Sequence, residues 1–364
     1  MEAHLYVSSR FSGAVSRYCL DRVTAIYQIE IFPGISGSNY LSTVLLPREN
    51  PLNARKFALT AIVLSLVLAS MQLPARSMNG FVIGSDALIP ADEIHSGGPP
   101  RDGIPSIDQP LFEATGEVTG IAPTDPVLGL FHQGIAKAYP IAVMNWHEIV
   151  NDRFVQEPVV ITYCPLCGSG VAYTAEAGGM ELVLGVSGLL FNSDVLLYDR
   201  QTESLWSQMM SQAVSGPMKG ERLKMLPLVH TSWSEWLAEH PDTQLLSRKT
   251  GFSRDYGRDP YAGYIDSEGV WFPVAKKDPR YHPKERVLGL ELDGKFKAYP
   301  FAELSGSGGE ITDWFAGRAL TLRYNPKGPS ARVFDARGKE IPAITSFWFA
   351  WYAFHPETEV YQAP

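Results

Sequence analysis

The sequence VLGLFHQGIAKAYP, residues 127–140, returns as VLGLELDGKFKAYP, residues 287–300. The offset, 287 minus 127, is 160 residues throughout the two stretches. Each copy reads as a strand, a glycine turn, a second strand and a proline that precedes a short helix. A further strand-like run follows each copy, at 159–163 and at 320–324. The pattern predicts an internal repeat of a β-rich unit.

We therefore expect a β-rich α+β protein that contains two related β units and short helices. The expected segments are a non-native N-terminal extension at 1–51, a signal peptide or N-terminal anchor at 52–77, an extended Gly/Pro-rich arm at 78–126, a first β-rich unit at 127–286 that carries a Cys-Pro-Leu-Cys-Gly turn, and a second, shorter β-rich repeat at 287–364.

The expected signal peptide is the apolar run at 57–70, which follows Arg55 and Lys56 and precedes small residues near 75–77. Basic, apolar and small-residue regions in this order are typical of secretory signals. The run is shorter than the roughly 20 apolar residues that a membrane-spanning helix needs. Signals of this kind begin near the start of a chain, so we expect the true start near Leu52. The predicted location is the periplasm or the cell exterior, and an uncleaved anchor is the only membrane contact expected.

Composition narrows the classes of partner and cofactor. The chain has 364 residues, is 45% hydrophobic and 19% charged, and carries a net charge of −8. It contains no basic tract and no Gly-rich phosphate-binding loop. Nucleic acid is therefore not expected as a partner, and no nucleotide cofactor is expected.

The sequence ITYCPLCGSG, residues 161–170, holds two of the three cysteines, Cys164 and Cys167. Strand-like residues on both sides place the pair in a tight turn between strands. A thioredoxin-type redox pair opens a helix, which this sequence does not favour. A turn between strands is typical of a metal knuckle, in which both thiolates face one ion. A redox-active dithiol and a local disulfide or inert pair are the alternatives.

The second copy shows which features of the turn the fold requires. After Tyr324 it has the sequence NPKG, residues 325–328, which keeps the turn but lacks both cysteines. His147 also has no counterpart in the second copy, whereas Glu148 has one. We therefore expect Cys164, Cys167 and His147 to bind a metal, with Asp194 as an outside candidate. Sulfur and imidazole ligands suit a Zn or a Cu ion.

A polar stretch at 185–208 supplies further candidate site residues, namely Asp194, Asp199, Arg200 and Glu203. For the last three, a turn closed by an Arg–carboxylate pair is the structural alternative. Asn192 and Asp194 are one strand step apart, so their side chains are expected on the same face, pointing into a pocket.

The expected function is that of an extracytoplasmic metal-binding protein. The first alternative is a thiol–disulfide or metal-assisted oxidoreductase in which Cys164 is the nucleophile and Cys167 resolves the mixed disulfide. A hydrolase-like site built on Asp194, Asp199 and Glu203 and a non-enzymatic binding or assembly module are the others. Enzymatic activity thus stays an open question at this level.

Four motifs together resemble the domain-of-unknown-function family numbered 3179. They are WHEIVND at 146–152, TYCPLCG at 162–168, GVSGLLFNSD at 185–194 and YDRQTESLWSQ at 198–208. The resemblance covers approximately residues 85–355. It implies a bacterial or archaeal protein that is secreted or anchored to a membrane, and it implies no particular activity.

Overall fold

A computed structural model of the chain describes residues 25–30, 41–46 and 76–363. The chain divides into two units, Met1–Leu73 and Pro74–Pro364. In the first unit, β1 (Ala25–Glu30) and β2 (Leu41–Leu46) form an antiparallel pair. Of the expected signal peptide at 52–77, only residues 76 and 77 are among the described residues. Of the expected extension at 1–51, only β1 and β2 are described. Among the described residues, no helix combines the length and the apolar character needed to cross a membrane.

The larger unit is rich in β-strands, as predicted, and its helices are short. The strands are β3 (Arg76–Met78), β4 (Phe81–Ile83), β5 (Ile94–Ser96), β6 (Phe112–Ala114), β7 (Pro126–His132), β8 (Ile135–Pro140), β9 (Ile149–Phe154), β10 (Glu157–Cys164), β11 (Ser169–Thr174), β12 (Glu176–Ala177), β13 (Met180–Glu181), β14 (Leu184–Phe191), β15 (Asp194–Asp199), β16 (Leu205–Ser207), β17 (Gln212–Ser215), β18 (Met225–Leu226), β19 (Val229–Ser232), β20 (Gln244–Leu246), β21 (Arg286–Leu292), β22 (Lys295–Pro300), β23 (Glu310–Phe315), β24 (Arg318–Asn325), β25 (Ser330–Asp335), β26 (Glu340–Ile341), β27 (Ile344–Phe347) and β28 (Glu359–Val360). The α-helices are α1 (Ile141–His147), α2 (Trp233–Glu239), α3 (Phe301–Leu304) and α4 (Trp348–Phe354).

Two stretches of the larger unit have the same order of elements. Strands β7 to β11 with α1, and strands β21 to β25 with α3, each form a hairpin, a helix and a three-stranded meander. The hairpins have the same cross-strand pairing, since Val127 lies opposite Pro140 and Val287 lies opposite Pro300. The meanders also agree, and Cys164 faces Ser169 as Asn325 faces Ser330 in the second.

The central sheet has the strand order β28-β22-β21-β27-β11-β10-β9, with β18 paired to β11. The central sheet thus combines strands of the expected first unit, 127–286, with strands of the expected second unit, 287–364. A separate five-stranded sheet has the order β17-β16-β15-β14-β5. The largest hydrophobic core contains residues of both sheets and of α4, and it includes Cys164, Cys167, Leu197 and Trp348. The β10–β11 hairpin is therefore held at the junction of two sheets and a helix.

The segment expected as an extended arm, 78–126, contributes strands to the body of the protein. β5 pairs with β14 of the five-stranded sheet, and β6 pairs with β20. Phe81 and Ile94 from this segment are buried in a core with Leu196 and Tyr198. These contacts attach the segment to two sheets.

Each of the two matching hairpins has a glycine where a tryptophan packs on the strand. A Cβ atom on Gly129 would lie 2.3 Å from Cε3 of Trp236, and one on Gly289 would lie 2.1 Å from Cε3 of Trp351. The two indole N–H groups donate to the threonine hydroxyls of Thr243 and Thr358, at 2.8 and 3.0 Å. The recurring VLGL sequence therefore keeps glycine because a helix tryptophan occupies the space of its side chain.

We expect Gly289→Ala to lower the free energy of unfolding by about 1–3 kcal/mol, because the added methyl group overlaps the buried Trp351 ring. Urea denaturation measures the change. Gly306→Ala is the matched control, since a Cβ there meets no atom within 4 Å, and it should alter stability by less than about 0.5 kcal/mol. Equal effects of the two substitutions would contradict the packing explanation.

Candidate functional site

Cys164, Cys167 and Asp194 meet in one buried cluster. Their sulfur and carboxylate oxygen atoms all lie within 4.8 Å of one another. The three residues are 2%, 0% and 1% exposed. Cys164 ends β10, Cys167 lies in the following turn, and Asp194 begins β15. In the part of the chain that the structure describes, no other group of three His, Cys, Asp or Glu side chains could hold a metal ion.

The cysteine turn joins two strands, β10 and β11, as predicted. Backbone hydrogen bonds fix its conformation. The Cys167 N–H donates to the Cys164 carbonyl at 3.2 Å, and the Phe347 N–H donates to the Cys167 carbonyl at 2.7 Å. Gly168 has a φ of +58°, and a Cβ atom there would lie 2.8 Å from the Phe347 ring. The end of β27 therefore packs tightly against this turn and positions both sulfur atoms.

Asp194 reaches the cluster through a two-residue turn between β14 and β15. Asn192 and Ser193 form the turn with φ values of 51° and 66°, a left-handed conformation that is typical of type I′ hairpins and favours glycine at the second position. The Ser193 carbonyl oxygen lies 3.3 Å from the Cys167 sulfur and 3.8 Å from the Cys164 sulfur, and it accepts from both thiols. The strained turn thus directs a carbonyl oxygen and a carboxyl group at the same two sulfur atoms.

Polar contacts hold the Asp194 carboxyl group on its other sides. The Met209 N–H donates to Oδ2 at 3.2 Å. The Ser169 hydroxyl lies 2.6 Å from Oε1 of Gln208 and 3.3 Å from Oδ1 of Asp194. Because this hydroxyl has one proton, it donates to the nearer Gln208 oxygen, and a protonated Asp194 can donate to the hydroxyl. Gln208 is anchored in turn by its amide, which donates to Thr162 at 2.8 Å.

Burial raises the pKa of each acidic group in the cluster and that of the nearby Glu148. It raises the pKa of Asp194 to about 7 and that of Glu148 to about 8, and the charge of Asp194 adds to the shift at Glu148. Burial also raises the pKa of the Cys164 thiol, and that of the Cys167 thiol further. A bound cation would reverse these shifts, because it stabilises the charged forms.

Glu148 is a neighbour of the cluster that sequence reasoning did not select. It caps the C-terminus of α1 with a φ of 58°, and its carbonyl accepts from the Tyr163 N–H at 2.7 Å. The residue is buried, with 7% of its surface exposed. The sequence did offer a signal for this residue. Glu148 directly follows a helix that ends beside the strand leading to Cys164.

The structure does not bring His147 into the cluster. Its Nδ1–H donates to the Pro105 carbonyl at 2.7 Å, and its Nε2 lies 2.7 Å from the Tyr256 hydroxyl, from which it can accept. Burial lowers the pKa of the imidazole, so the ring is neutral and both nitrogen atoms have partners. Asp194 stands with the two cysteines where a histidine was expected.

Asp199, Arg200 and Glu203 form a separate polar network. The Asp199 carboxylate accepts from the Thr202 hydroxyl and from the Trp206 indole N–H, both at 2.9 Å. Arg200 donates to Asp102 at 3.1 Å, and Glu203 accepts from Arg101 at 2.9 Å. Asp199 thus closes its own turn, whereas Arg200 and Glu203 pair with charged residues outside the turn. The carboxylates of Asp199 and Glu203 do not belong to the cluster of Asp194 with the two cysteines.

The chain belongs to the DUF3179 family, described as proteins of unknown function, whose model matches residues 101–358. No curated protein and no solved structure is similar enough to the chain to count as a match.

We expect the metal-free protein to lose stability as pH rises from about 4 to about 8. The pKa of Asp194 rises from 3.8 to about 7 on folding. Its proton therefore stabilises the fold fully below the unfolded value, and this contribution is lost as pH passes through the folded value. Asp194→Asn cannot ionise, so it should flatten the decline by a few kcal/mol in urea denaturation at several pH values.

Asp293→Asn is the control for this substitution. Asp293 is exposed and ion-paired with Arg318, so its loss should leave the shape of the pH profile unchanged. If Asp194→Asn kept the full pH dependence of the wild type, the buried neutral carboxyl group would be ruled out.

Proposed function

We propose that this member of the DUF3179 family is an exported zinc-binding protein, in which Cys164, Cys167 and Asp194 are the protein ligands. The observation that carries the proposal is the convergence of two sulfur atoms and a carboxylate oxygen within 4.8 Å, all buried. Ligand atoms of a tetrahedral zinc site lie about 3.5 Å apart, since zinc–ligand distances are about 2.0–2.3 Å. The cluster is therefore close to the size that the ion requires.

The ligand set favours zinc over copper. Copper(I) selects soft sulfur ligands, whereas zinc binds thiolates and carboxylates together. Asp194 in place of the expected His147 thus shifts the balance between the two metals first considered. A zinc ion would replace the protons that now neutralise the three groups, because ligands bind in their deprotonated forms.

The Ser193 carbonyl supports a cation between these groups. Its oxygen is 3.3 Å from the Cys167 sulfur and accepts from that thiol. When both thiols lose their protons, the carbonyl oxygen faces two anions and has no donor. An ion placed among them removes this repulsion, and the carbonyl oxygen or an external ligand would fill the fourth position of the site.

We also propose that the two matching stretches are an internal repeat, which makes the cysteines a specialisation of one copy. Identical hairpin pairing and the two glycine–tryptophan contacts support this. The similarity extends to WSEWLAEHPDT at 233–243 and WFAWYAFHPET at 348–358. The second copy forms the same four-residue turn between β24 and β25 with Asn325 and Gly328 at the cysteine positions, so the hairpin does not need the sulfur atoms.

Export rests on the apolar run at 57–70 and the basic residues before it. Compartments outside the cytoplasm are oxidising, and a free vicinal pair of thiols there tends to form a disulfide. A bound zinc ion would keep both thiolates occupied.

A thiol–disulfide oxidoreductase is the second candidate. The observation that favours it is the Asp194 carboxyl group beside both thiols, where it can accept the proton of an attacking thiol. Burial opposes this function, because it raises the thiol pKa values and reactive cysteines have lowered ones.

We expect the purified protein to hold one zinc ion per chain, measured by mass spectrometry of the metal and by competition with a chromogenic chelator. Cys164→Ser, Cys167→Ser and Asp194→Ala should each weaken zinc binding at least about tenfold, because each removes a ligand. His147→Ala is the control and should keep the ion, since both its nitrogen atoms bond elsewhere.

Loss of zinc in His147→Ala with retention in Asp194→Ala would contradict this ligand set. A protein without metal that contains a reducible Cys164–Cys167 disulfide would favour the redox candidate instead.

A further inference from the structure

A long irregular segment lies between β20 and β21. Residues 247–285 contain no strand and no α-helix. Loops longer than roughly 12–15 residues without secondary structure are uncommon in compact domains and are typical of lids and binding loops. The length of this segment therefore calls for a functional explanation.

The segment packs against the cysteine cluster. Tyr264 is 2% exposed and belongs to the same hydrophobic core as Cys164 and Cys167. The Lys284 ammonium group lies 4.2 Å from the centre of the Tyr264 ring and donates to the Ser267 carbonyl at 2.7 Å. Tyr264 is thus fixed in the core that contains the cluster, and its hydroxyl has no hydrogen-bond partner among the described residues.

Several bonds hold the segment closed at a distance from the cluster. Asn145 donates to Asp259 at 3.0 Å, and the Trp146 indole donates to the Arg258 carbonyl at 3.2 Å. The Trp348 indole donates to the Asp278 carbonyl at 3.1 Å. None of these three bonds involves the turn that carries Asp194.

Asn192 connects the segment to the cluster itself. Its Oδ1 accepts from the Ala275 N–H at 2.8 Å, and its Nδ2 donates to the Ala353 carbonyl of α4 at 3.3 Å. The residue is 6% exposed and directly precedes Ser193 and Asp194 in the strained turn. Because two residues make the whole turn, a shift of the Asn192 amide moves the carbonyl and carboxyl groups that face the sulfur atoms.

We propose that residues 247–285 form a lid over the zinc site and that Asn192 is the positioning residue that couples lid closure to the geometry of the metal ligands. The inference rests on the proposed zinc function. The ligands are at most 2% exposed, so an ion or an external ligand reaches them only when the lid opens. Closure and metal binding then favour each other, because both require the same turn conformation.

The test compares zinc affinity and the rate of zinc release to a chelator in three variants of the full chain. Asn192→Gly removes the amide but tolerates the positive φ, so it isolates the side-chain bonds. We expect zinc affinity about tenfold lower and faster release, a size typical of coupling between sites. Asn192→Asp keeps the acceptor for the Ala275 N–H and should restore part of the affinity.

Asn325→Gly is the control, because Asn325 ends β24 in the second meander and its side-chain amide donates to Glu235 at 2.7 Å, away from the cysteines. It should change neither quantity more than about twofold. The cobalt-substituted protein adds a spectroscopic readout, since Asn192→Gly should alter the ligand-field spectrum and Asn325→Gly should not. Wild-type affinity and release rate in Asn192→Gly, or equal effects of the two glycine variants, would overturn the proposal.

If the wild type binds no zinc, the proposed function fails and the lid is judged by thiol alkylation in the metal-free protein. Faster labelling of Cys164 and Cys167 in Asn192→Gly than in the wild type would still support a lid held by this amide. Equal labelling rates would overturn it.

Discussion

Two thiol groups and a carboxyl group are buried within 4.8 Å of one another, where their charged forms are costly without a counter-charge. Burial raises the pKa of each group, so the protonated forms are favoured in the absence of a cation. A divalent ion converts the same arrangement from three neutral acids into three ligands. The Ser193 carbonyl, the Ser169 hydroxyl and the Met209 N–H contact these groups and orient them.

The fold builds the cluster from two hairpin ends that belong to different sheets. The β10–β11 turn supplies the sulfur atoms and packs against Phe347, while the β14–β15 turn supplies Asp194 and the Ser193 carbonyl. The segment 247–285 contributes Tyr264 to the same core, and its Ala275 N–H donates to Asn192 in the second turn. Strain in the left-handed conformation of Ser193 is offset by these surroundings, which is common where the backbone serves a site.

Much of the fold could be predicted, because its signals are local or repeated. The turn between strands at Cys164 follows from the strand-like residues on both sides of it. The repeated KAYP sequence predicted matching hairpins. Its lysine and tyrosine hold an aspartate on the next strand in both places, Asp152 at 2.8 and 2.6 Å and Asp313 at 2.6 and 2.8 Å. The spacing of those aspartates differs by one residue, so sequence alone did not pair them.

The partner of the cysteines was harder to predict. Asp194 joins them because strands of two sheets share one core, whereas residue type alone pointed to His147, whose nitrogen atoms are already bonded.

X-ray absorption at the zinc K edge tests the central claim most directly, because it reports which atoms surround the ion. The structure predicts two sulfur atoms at about 2.3 Å together with oxygen atoms at about 2.0–2.2 Å, from Asp194 and the fourth position. A zinc ion surrounded only by oxygen and nitrogen, or a protein whose two cysteines form a disulfide and hold no zinc, would contradict it.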